Sequence, residues 1–519
     1  MIPRLSKSRI QSGRQCHKRL WLELHQPSAS QWTASAQARL DEGTRFGDLA
    51  RDLLGGGKLI AADHMHVEEA LAETAALLAL PHGRVPMLFE PAFSHEGVRV
   101  RVDAFQRHAD HDVLIEVKST TSVKQEHLWD CAIQTWVARG SGRNVSHVMH
   151  GHVDNRFVYQ AEGDYRGLLK LVDITHEVEA LVPLVPGIVE TLKRVGAGAM
   201  PAIQTGSHCS EPYGCPFWAH CRGAEPPGAE FPIDILPRSR TVVLRLAEAG
   251  YSDLCVVPDA ELANATHQRV ATVSRTGTAF ISDELPGLLT DIAYPRAYLD
   301  FETIAFVVPR WIGTRPFQQL PFQFSCHAES SFGAIRHHAF LDVSGRSPLR
   351  SFVESILEAV SGAATVIVWN KGFEGARLRE LAALFPGHAA DLLAIADRMV
   401  DLLPLYRRHY YHRDMRGSWS IKAVLPTIAP ELDYRGLEVG DGGEAQKAYL
   451  QACDPATTAE HREGLRSQLL AYCERDTWAM VRLAHAFDAF GASCAVADFS
   501  SERELLPGDM DRLALATAP

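Results

Sequence analysis

The sequence predicts an α/β protein built from two large layered units, and three observations carry that expectation. Short apolar, strand-like runs alternate with helices of amphipathic spacing, as in "ATVIVWN" (364–370) followed by "FEGARLRELAALF" (373–385). The chain has 519 residues, more than one hydrophobic core usually serves. A Pro- and Gly-rich stretch, "RGAEPPGAEFP", separates two regions of different character. Divided there, residues 1–223 make a first unit, 224–290 a linker with a small helical segment, 291–495 a second unit and 496–519 a tail.

Composition narrows the classes. Hydrophobic content of 46% and charged content of 22% fit a globular protein. No apolar run approaches the roughly 20 residues of a membrane helix. The opening "MIPRLSKSRIQSGRQCHKRLWLEL" has basic residues but no continuous apolar core, so it is not expected to be a signal peptide. A cytoplasmic protein is expected, with its ten cysteines reduced unless they bind metal or do chemistry. The formal net charge of -11 argues against a simple nucleic-acid-coating protein. It leaves room for an enzyme whose acids hold cations that face phosphate.

In the first unit, "VRVRVDAF" (98–105) and "VLIEVK" (113–118) read as strands joined by a polar turn, and "EHLWDCAIQTWVARG" (126–140) reads as a helix. In the second, "AYLDFE", "LPFQFSCHA" (320–328) and "RHHAFLD" (336–342) read as strands. They are followed by a helix at 347–360, the strand 364–370, the helix 373–385 and a long closing helix at 464–487.

The second unit holds an electrostatic problem. Strand side chains alternate, so Asp300 and Glu302 in "AYLDFETIAF" share one face of an apolar element. Each is costly to bury without a partner, and no nearby Lys or Arg in the sequence lies on that face. More acids fall at element ends. Glu374 opens the helix after strand 364–370, and Asp476 lies in the closing helix with Tyr472 one turn before it. Four converging acids require cations, and hard oxygen ligands suit Mg²⁺ or Mn²⁺. Two such ions about 4 Å apart can clamp the attacking and leaving oxygens of a phosphodiester. Asp401, in "RMVDLLPLY", is a candidate secondary acid.

These residues resemble the motifs of the DEDD, or DnaQ-like, exonucleases of the ribonuclease-H-like fold. "LDFET" is similar to their first motif, "WNKGFEGARL" to their second and "YCERD" to the Tyr-x-x-x-Asp of the tyrosine subclass. The resemblance implies 3′-to-5′ removal of nucleotides. It implies that Asp300, Glu302, Glu374 and Asp476 bind two metals and that Tyr472 positions or deprotonates the attacking water. The second motif usually carries Asp where this chain has Glu374. Either short motif alone also fits a solvated face; their order and element context distinguish the set.

In the first unit, "VRVDAF" places Asp103 on a strand, and "LIEVKS" places Glu116 and Lys118 on one face of the next. Asp and Glu can share a metal, a nearby Lys can stabilise charge on phosphate, and Gln134 in the next helix can hold the lysine or the substrate. A Glu-x-Lys by itself is also an ordinary strand-edge ion pair. The whole set resembles the PD-(D/E)XK nucleases of the RecB-like branch, which implies a restriction-endonuclease-like fold. That branch often carries a metal-binding His in an upstream helix; here Gly47 stands in its place, with Glu42 as a candidate substitute.

Cys209, Cys215 and Cys221 are each separated from the next by five residues, and Cys16 lies far upstream. Four thiolates suit a 4Fe-4S cluster or a structural Zn²⁺, and the absence of tight Cys-x-x-Cys pairs favours the iron–sulfur reading. The pattern resembles the iron–sulfur RecB-like nucleases, in which one early and three late cysteines staple the ends of the domain. Cys131, Cys255, Cys326, Cys453, Cys473 and Cys494 read as scattered apolar cysteines.

The chain as a whole resembles a bacterial family that joins an iron–sulfur RecB-like domain to a DnaQ-like exonuclease domain. The expected function is metal-dependent processing of DNA ends, with RNA as an alternative substrate, in repair or defence. Lys7, Arg9, Arg14, Lys18 and Arg19 make the opening helix basic, as phosphate contacts or an ordinary solvated face require. The rival reading is a nucleic-acid-binding partner of a helicase or defence complex, with one or both sites inactive. No membrane partner is expected.

Overall fold

The computed structural model describes residues 5–62, 65–432, 434 and 436–487. The expected tail at 496–519 and Cys494 lie outside the described residues. The protein is mixed α/β, with helices packed against several sheets. No helix among the described residues is long and apolar enough to cross a membrane.

The first unit contains β1 (Leu5–Ser6), β2 (Lys58–Leu59), β3 (Met87–Phe89), β4 (Ala92–His95), β5 (Val98–Arg101), β6 (Ala104–Arg107), β7 (Asp112–Lys118), β8 (Val145–Val153) and β9 (Leu169–Asp173). Six of them form a sheet in the order β2-β3-β6-β7-β8-β9, and β1-β5-β4 form a smaller one. β7 and β8 run parallel, so the chain must cross over between them, and the helix Gln125–Gly140 makes that crossing. The helix buries Cys131, Ile133 and Val137 against Leu114 and Val148 of the sheet.

The run expected as one strand at 98–105 is two. β5 pairs with β4 and β1, whereas β6 pairs with β3 and β7. Asp103 therefore sits at a bend between two sheets rather than on a strand. The expected opening helix is also two, Lys7–Gln15 and His17–His25, broken where Cys16 takes extended backbone angles.

The second unit contains β10 (Phe280–Ile281), β11 (Arg296–Ile304), β12 (Leu320–Glu329), β13 (Ile335–Leu341), β14 (Thr365–Val368), β15 (Met399–Asp401) and β16 (Tyr410–Tyr411). Its five-stranded sheet has the order β13-β12-β11-β14-β15. β12 is antiparallel to both neighbours, and β11, β14 and β15 run parallel. β11 is buried on both faces. Ala297, Leu299 and Phe301 join one apolar cluster with the helix Leu349–Ala359. Tyr298 joins another, with Ile367 and the end of the helix Ala459–His485.

Residues 224–290 do more than connect. Phe231, Leu246, Leu254, Val270 and Leu285 belong to the same buried cluster as Tyr298 and Ile367. The sequence alone gives these short helices no visible partner, because that partner is a sheet face formed later in the chain. The two large units also touch. Phe46, Val153 and Leu168 pack with Val307 and Val308, and Tyr159 exchanges backbone hydrogen bonds with Gly313 and Thr314.

Candidate functional site

Strand alternation carries the face of Tyr298 on to Asp300 and Glu302, at the carboxyl end of β11. The register shifts just past Glu302, where β12 carries one extra residue, Phe322, opposite β11. The other expected acids gather at the same edge. Glu374 lies in the first turn of the helix Lys371–Leu384 that follows β14, and Asp401 ends β15. In open parallel sheets, the crevice beyond the carboxyl ends of the strands is where ligands bind.

The closing helix supplies the last acid. Thr458 caps its start by accepting from the His461 N–H. Leu465, Leu469 and Tyr472 pack into one apolar cluster, and Ala479, Met480 and Leu483 into the other. Asp476 falls between them. Asp300, Glu302 and Asp476 each offer a carboxylate oxygen within 4.8 Å of the others. Glu374 lies outside that triad, yet its charge reaches Asp300. It is buried, and its Oε2 has no hydrogen-bond partner. Asp401 accepts from the backbone N–H of Lys371 and of Leu403, both at 3.0 Å, and so fixes the start of the Glu374 helix.

The electrostatics follow from burial. Burial, then the charges of Asp476, Glu302 and Glu374, pushes Asp300 well above the usual carboxylate range. Burial and Asp476 push Glu302 up to about 8. Burial pushes Glu374 up to about 8 and Asp476 up to about 6. Without a cation the cluster therefore holds protons that isolated carboxylates would lose at pH 7, and a divalent cation fits in their place: the oxygens converge, one is orphaned, and oxygen is the ligand that Mg²⁺ and Mn²⁺ take.

Two site residues escape the sequence reading. Tyr434 donates to Asp476 Oδ1 at 2.5 Å, and Lys422 donates to the Tyr472 hydroxyl at 2.9 Å. The expectation that no cation lies near the acids is thus corrected. Lys422 lowers the pKa of both Glu302 and Asp476. Neither residue sits in a motif, and only the chain's return past β11 brings them in.

In the first unit, Glu116 is buried, and all its ligands are internal. Lys118 and Lys7 donate to Oε1, Lys7 at 2.8 Å, and Gln134 donates to Oε2 at 2.6 Å. Asp103 accepts from the Val117 N–H at 2.7 Å. Asp130, which the sequence reading omits, lies 3.0 Å from Lys118 and 3.3 Å from Lys7. Burial, then Glu116, pushes Asp103 up to about 7. Burial would also raise Glu116, but Lys118 and Lys7 reverse this and hold it well below the usual range.

Lys7 is therefore a member of this site and not a residue of a solvated face. Its basic neighbours are also engaged: Arg14 lies 3.9 Å over the Trp129 ring, Lys18 donates to the Ile203 carbonyl at 3.1 Å, and Arg19 pairs with Glu23 at 3.0 Å. Glu42 does not join Asp103 and Glu116; it pairs with Arg45 and, across the unit boundary, with Arg310 at 3.7 Å.

Cys16, Cys209, Cys215 and Cys221 line one cavity, together with Lys18, Arg19 and Thr205. The Cys215 N–H donates to the Cys209 carbonyl at 2.7 Å, and Gln15 ties the first helix to the carbonyls of His208 and Tyr213. All four are free thiols. Among the described residues, these sulfurs form no triad within 4.8 Å. A single tetrahedral zinc with bonds of about 2.3 Å would draw its sulfurs to about 3.8 Å from one another. Of the scattered cysteines, Cys131, Cys326 and Cys473 are buried, and Cys255 and Cys453 are partly so.

A family model described as a domain of unknown function, DUF2779, matches residues 297–420. That span takes in Asp300, Glu302 and Glu374 and ends before Tyr472 and Asp476. The chain is 24% identical to "Uncharacterized protein MG366" of Mycoplasma genitalium over 210 residues, 36% of this chain and 31% of that protein. It is 25% identical to "Uncharacterized protein UU173" of Ureaplasma parvum over 215 residues, 37% of this chain and 31% of that protein. "Uncharacterized protein MG366 homolog" of Mycoplasma pneumoniae is 24% identical over 207 residues, with coverage of 36% and 31%. The chain thus spans just under a third of the length of these curated relatives.

Proposed function

We propose that the chain is a metal-dependent nuclease that hydrolyses phosphodiester bonds at the ends of DNA or RNA. The observation that carries this reading is the acid cluster: three carboxylates within 4.8 Å of one another, with the buried, half-unpartnered Glu374 beside them. The strand order β13-β12-β11-β14-β15, with only β12 reversed inside the set, supports a ribonuclease-H-like domain with a DEDD centre. Asp300, Glu302, Asp476 and Glu374 would hold Mg²⁺ or Mn²⁺. Such ions neutralise phosphate charge and acidify bound water. Tyr472 would orient the attacking water, and its hydrogen bond to Lys422 supports a fixed phenol position. Tyr434 would hold Asp476 in a single rotamer.

A second centre, of the RecB-like type, is supported by the meeting of Asp103, Glu116, Lys118 and Gln134 beside the parallel β7–helix–β8 crossing. There Lys118 would face the phosphate and Gln134 would orient Glu116. At the cysteines, the meeting of one early and three late thiols at one cavity supports a 4Fe-4S cluster, with Zn²⁺ as the alternative.

The test is digestion of end-labelled single and double strands with Mg²⁺ or Mn²⁺. Asp300→Ala should abolish 3′-to-5′ shortening while Lys118→Ala leaves it. The reverse pattern would move the activity to the first unit. A wild-type protein that binds strands but cleaves none with either metal would sink the enzyme reading and leave a nucleic-acid-binding partner for a helicase or defence complex.

A further inference from the structure

A second group of ligand-bearing side chains lies on the same sheet and the same closing helix, and the nuclease reading makes no use of it. His327 of β12, His337 of β13 and Glu474 of the helix Ala459–His485 each offer one ligand atom within 4.8 Å of the others. β12 and β13 pair directly at His327 and His337, so the two rings stand on one face and stack with centroids 4.5 Å apart. His337 Nδ1 lies 3.7 Å from Glu474 Oε1. A tetrahedral ion with bonds of about 2.1 Å spaces its ligand atoms about 3.4 Å apart, so little movement is needed to close on one.

The outer nitrogens are held in the manner of metal-binding histidines. His327 Nδ1 lies 2.9 Å from Thr477 Oγ1, and His337 Nε2 lies 2.9 Å from Ser325 Oγ. Those two hydroxyls are 2.6 Å apart. Each imidazole thus has one nitrogen anchored by a hydroxyl, and the other nitrogen of His337 faces Glu474. Anchoring of the second ring nitrogen fixes tautomer and orientation in metal sites. Burial, with the neighbouring ring adding to it at His327, lowers the pKa of both histidines, so the rings are neutral at pH 7 and able to ligate.

We infer that His327, His337 and Glu474 bind a transition-metal dication of the zinc class. Two imidazoles and one carboxylate select such an ion over Mg²⁺, which takes oxygen. Three protein ligands leave a position for water, and the exposure of His337 and Glu474 gives the ion a way in. The ion would clamp the helix that carries Tyr472 and Asp476 to the β12–β13 edge of the sheet. The site is independent of what the acid cluster does.

The test is zinc binding, measured by competition with a chromophoric chelator, on wild type, His337→Ala, Glu474→Ala and Glu302→Gln. His337 and Glu474 are both exposed, so these variants should keep the wild-type far-UV circular dichroism. Each should lose one tightly bound equivalent or weaken it at least about 100-fold, and Ser325→Ala should weaken it about 10- to 100-fold. Glu302→Gln should retain it, which separates this site from the acid cluster; the cysteines are constant across the set. Unchanged stoichiometry and affinity in both His337→Ala and Glu474→Ala would overturn the inference. Loss in Glu302→Gln with retention in His337→Ala would overturn it too, by assigning the zinc to the acids.

Discussion

Glu302→Gln should stabilise the metal-free protein while destroying its response to divalent cations. Glu302 has an ordinary value of 4.5 and, through burial and Asp476, a folded value of about 8. A carboxyl whose folded pKa is raised contributes stability below its unfolded value, and that contribution is lost as pH rises through the folded one. The window here runs from about pH 4.5 to about pH 8. At pH 7 keeping this carboxyl protonated in the folded state costs about 1.4 kcal/mol for each of roughly 2.5 pH units, on the order of 3 kcal/mol. Glutamine keeps the shape and removes the charge. For a unit of this size, about 2–4 °C accompany each kcal/mol, so the melting temperature should rise by about 6–12 °C in chelator. Differential scanning fluorimetry at pH 7, with EDTA or with Mn²⁺, reads both effects. Wild type should gain stability with Mn²⁺, and the variant should gain much less. A variant that melts lower than wild type in EDTA, or that keeps the full Mn²⁺ shift, would refute the claim that the acids repel one another until a cation binds.

Three further outcomes follow from the same geometry. Lys422→Ala frees the Tyr472 hydroxyl and removes a cation that acts on both Glu302 and Asp476, so turnover of end-labelled strands should fall about 10- to 100-fold, with little change in KM. Lys7→Met leaves Glu116 and Asp130 with Lys118 as their remaining lysine, and should cost on the order of 2–3 kcal/mol in urea unfolding of the first unit. Cys16→Ser should abolish any visible charge-transfer absorbance of anaerobically purified protein, whereas Cys131→Ser, away from the cavity, should keep it.

Much of the second unit was legible because its strands carry their own signal. "ATVIVWN" and "AYLDFETIAF" are apolar runs, and the period-two alternation that sets Asp300 and Glu302 together acts within one element. The Tyr472 and Asp476 pairing is likewise local, being one helical turn. The errors fall where a residue's surroundings come from elsewhere. "VRVRVDAF" has an unbroken β pattern, and only the division of its partners between two sheets bends it at Asp103. Lys7 looks like any lysine of a basic helix until that helix docks beside Glu116. The segment 224–290 looks like a connector until Tyr298 and Ile367 present a face for it.

Sequence alone therefore determined the local quantities: which residues alternate, which face each acid takes on its own element, and how the cysteines are spaced. Tertiary structure decided which charges meet. Asp476 reaches Asp300 because the closing helix buries apolar residues on both sides of it. Lys422, Tyr434 and Glu374 assemble with them from three other segments. Coulomb energies depend on separation and burial in space, and neither is a property of any short stretch of chain.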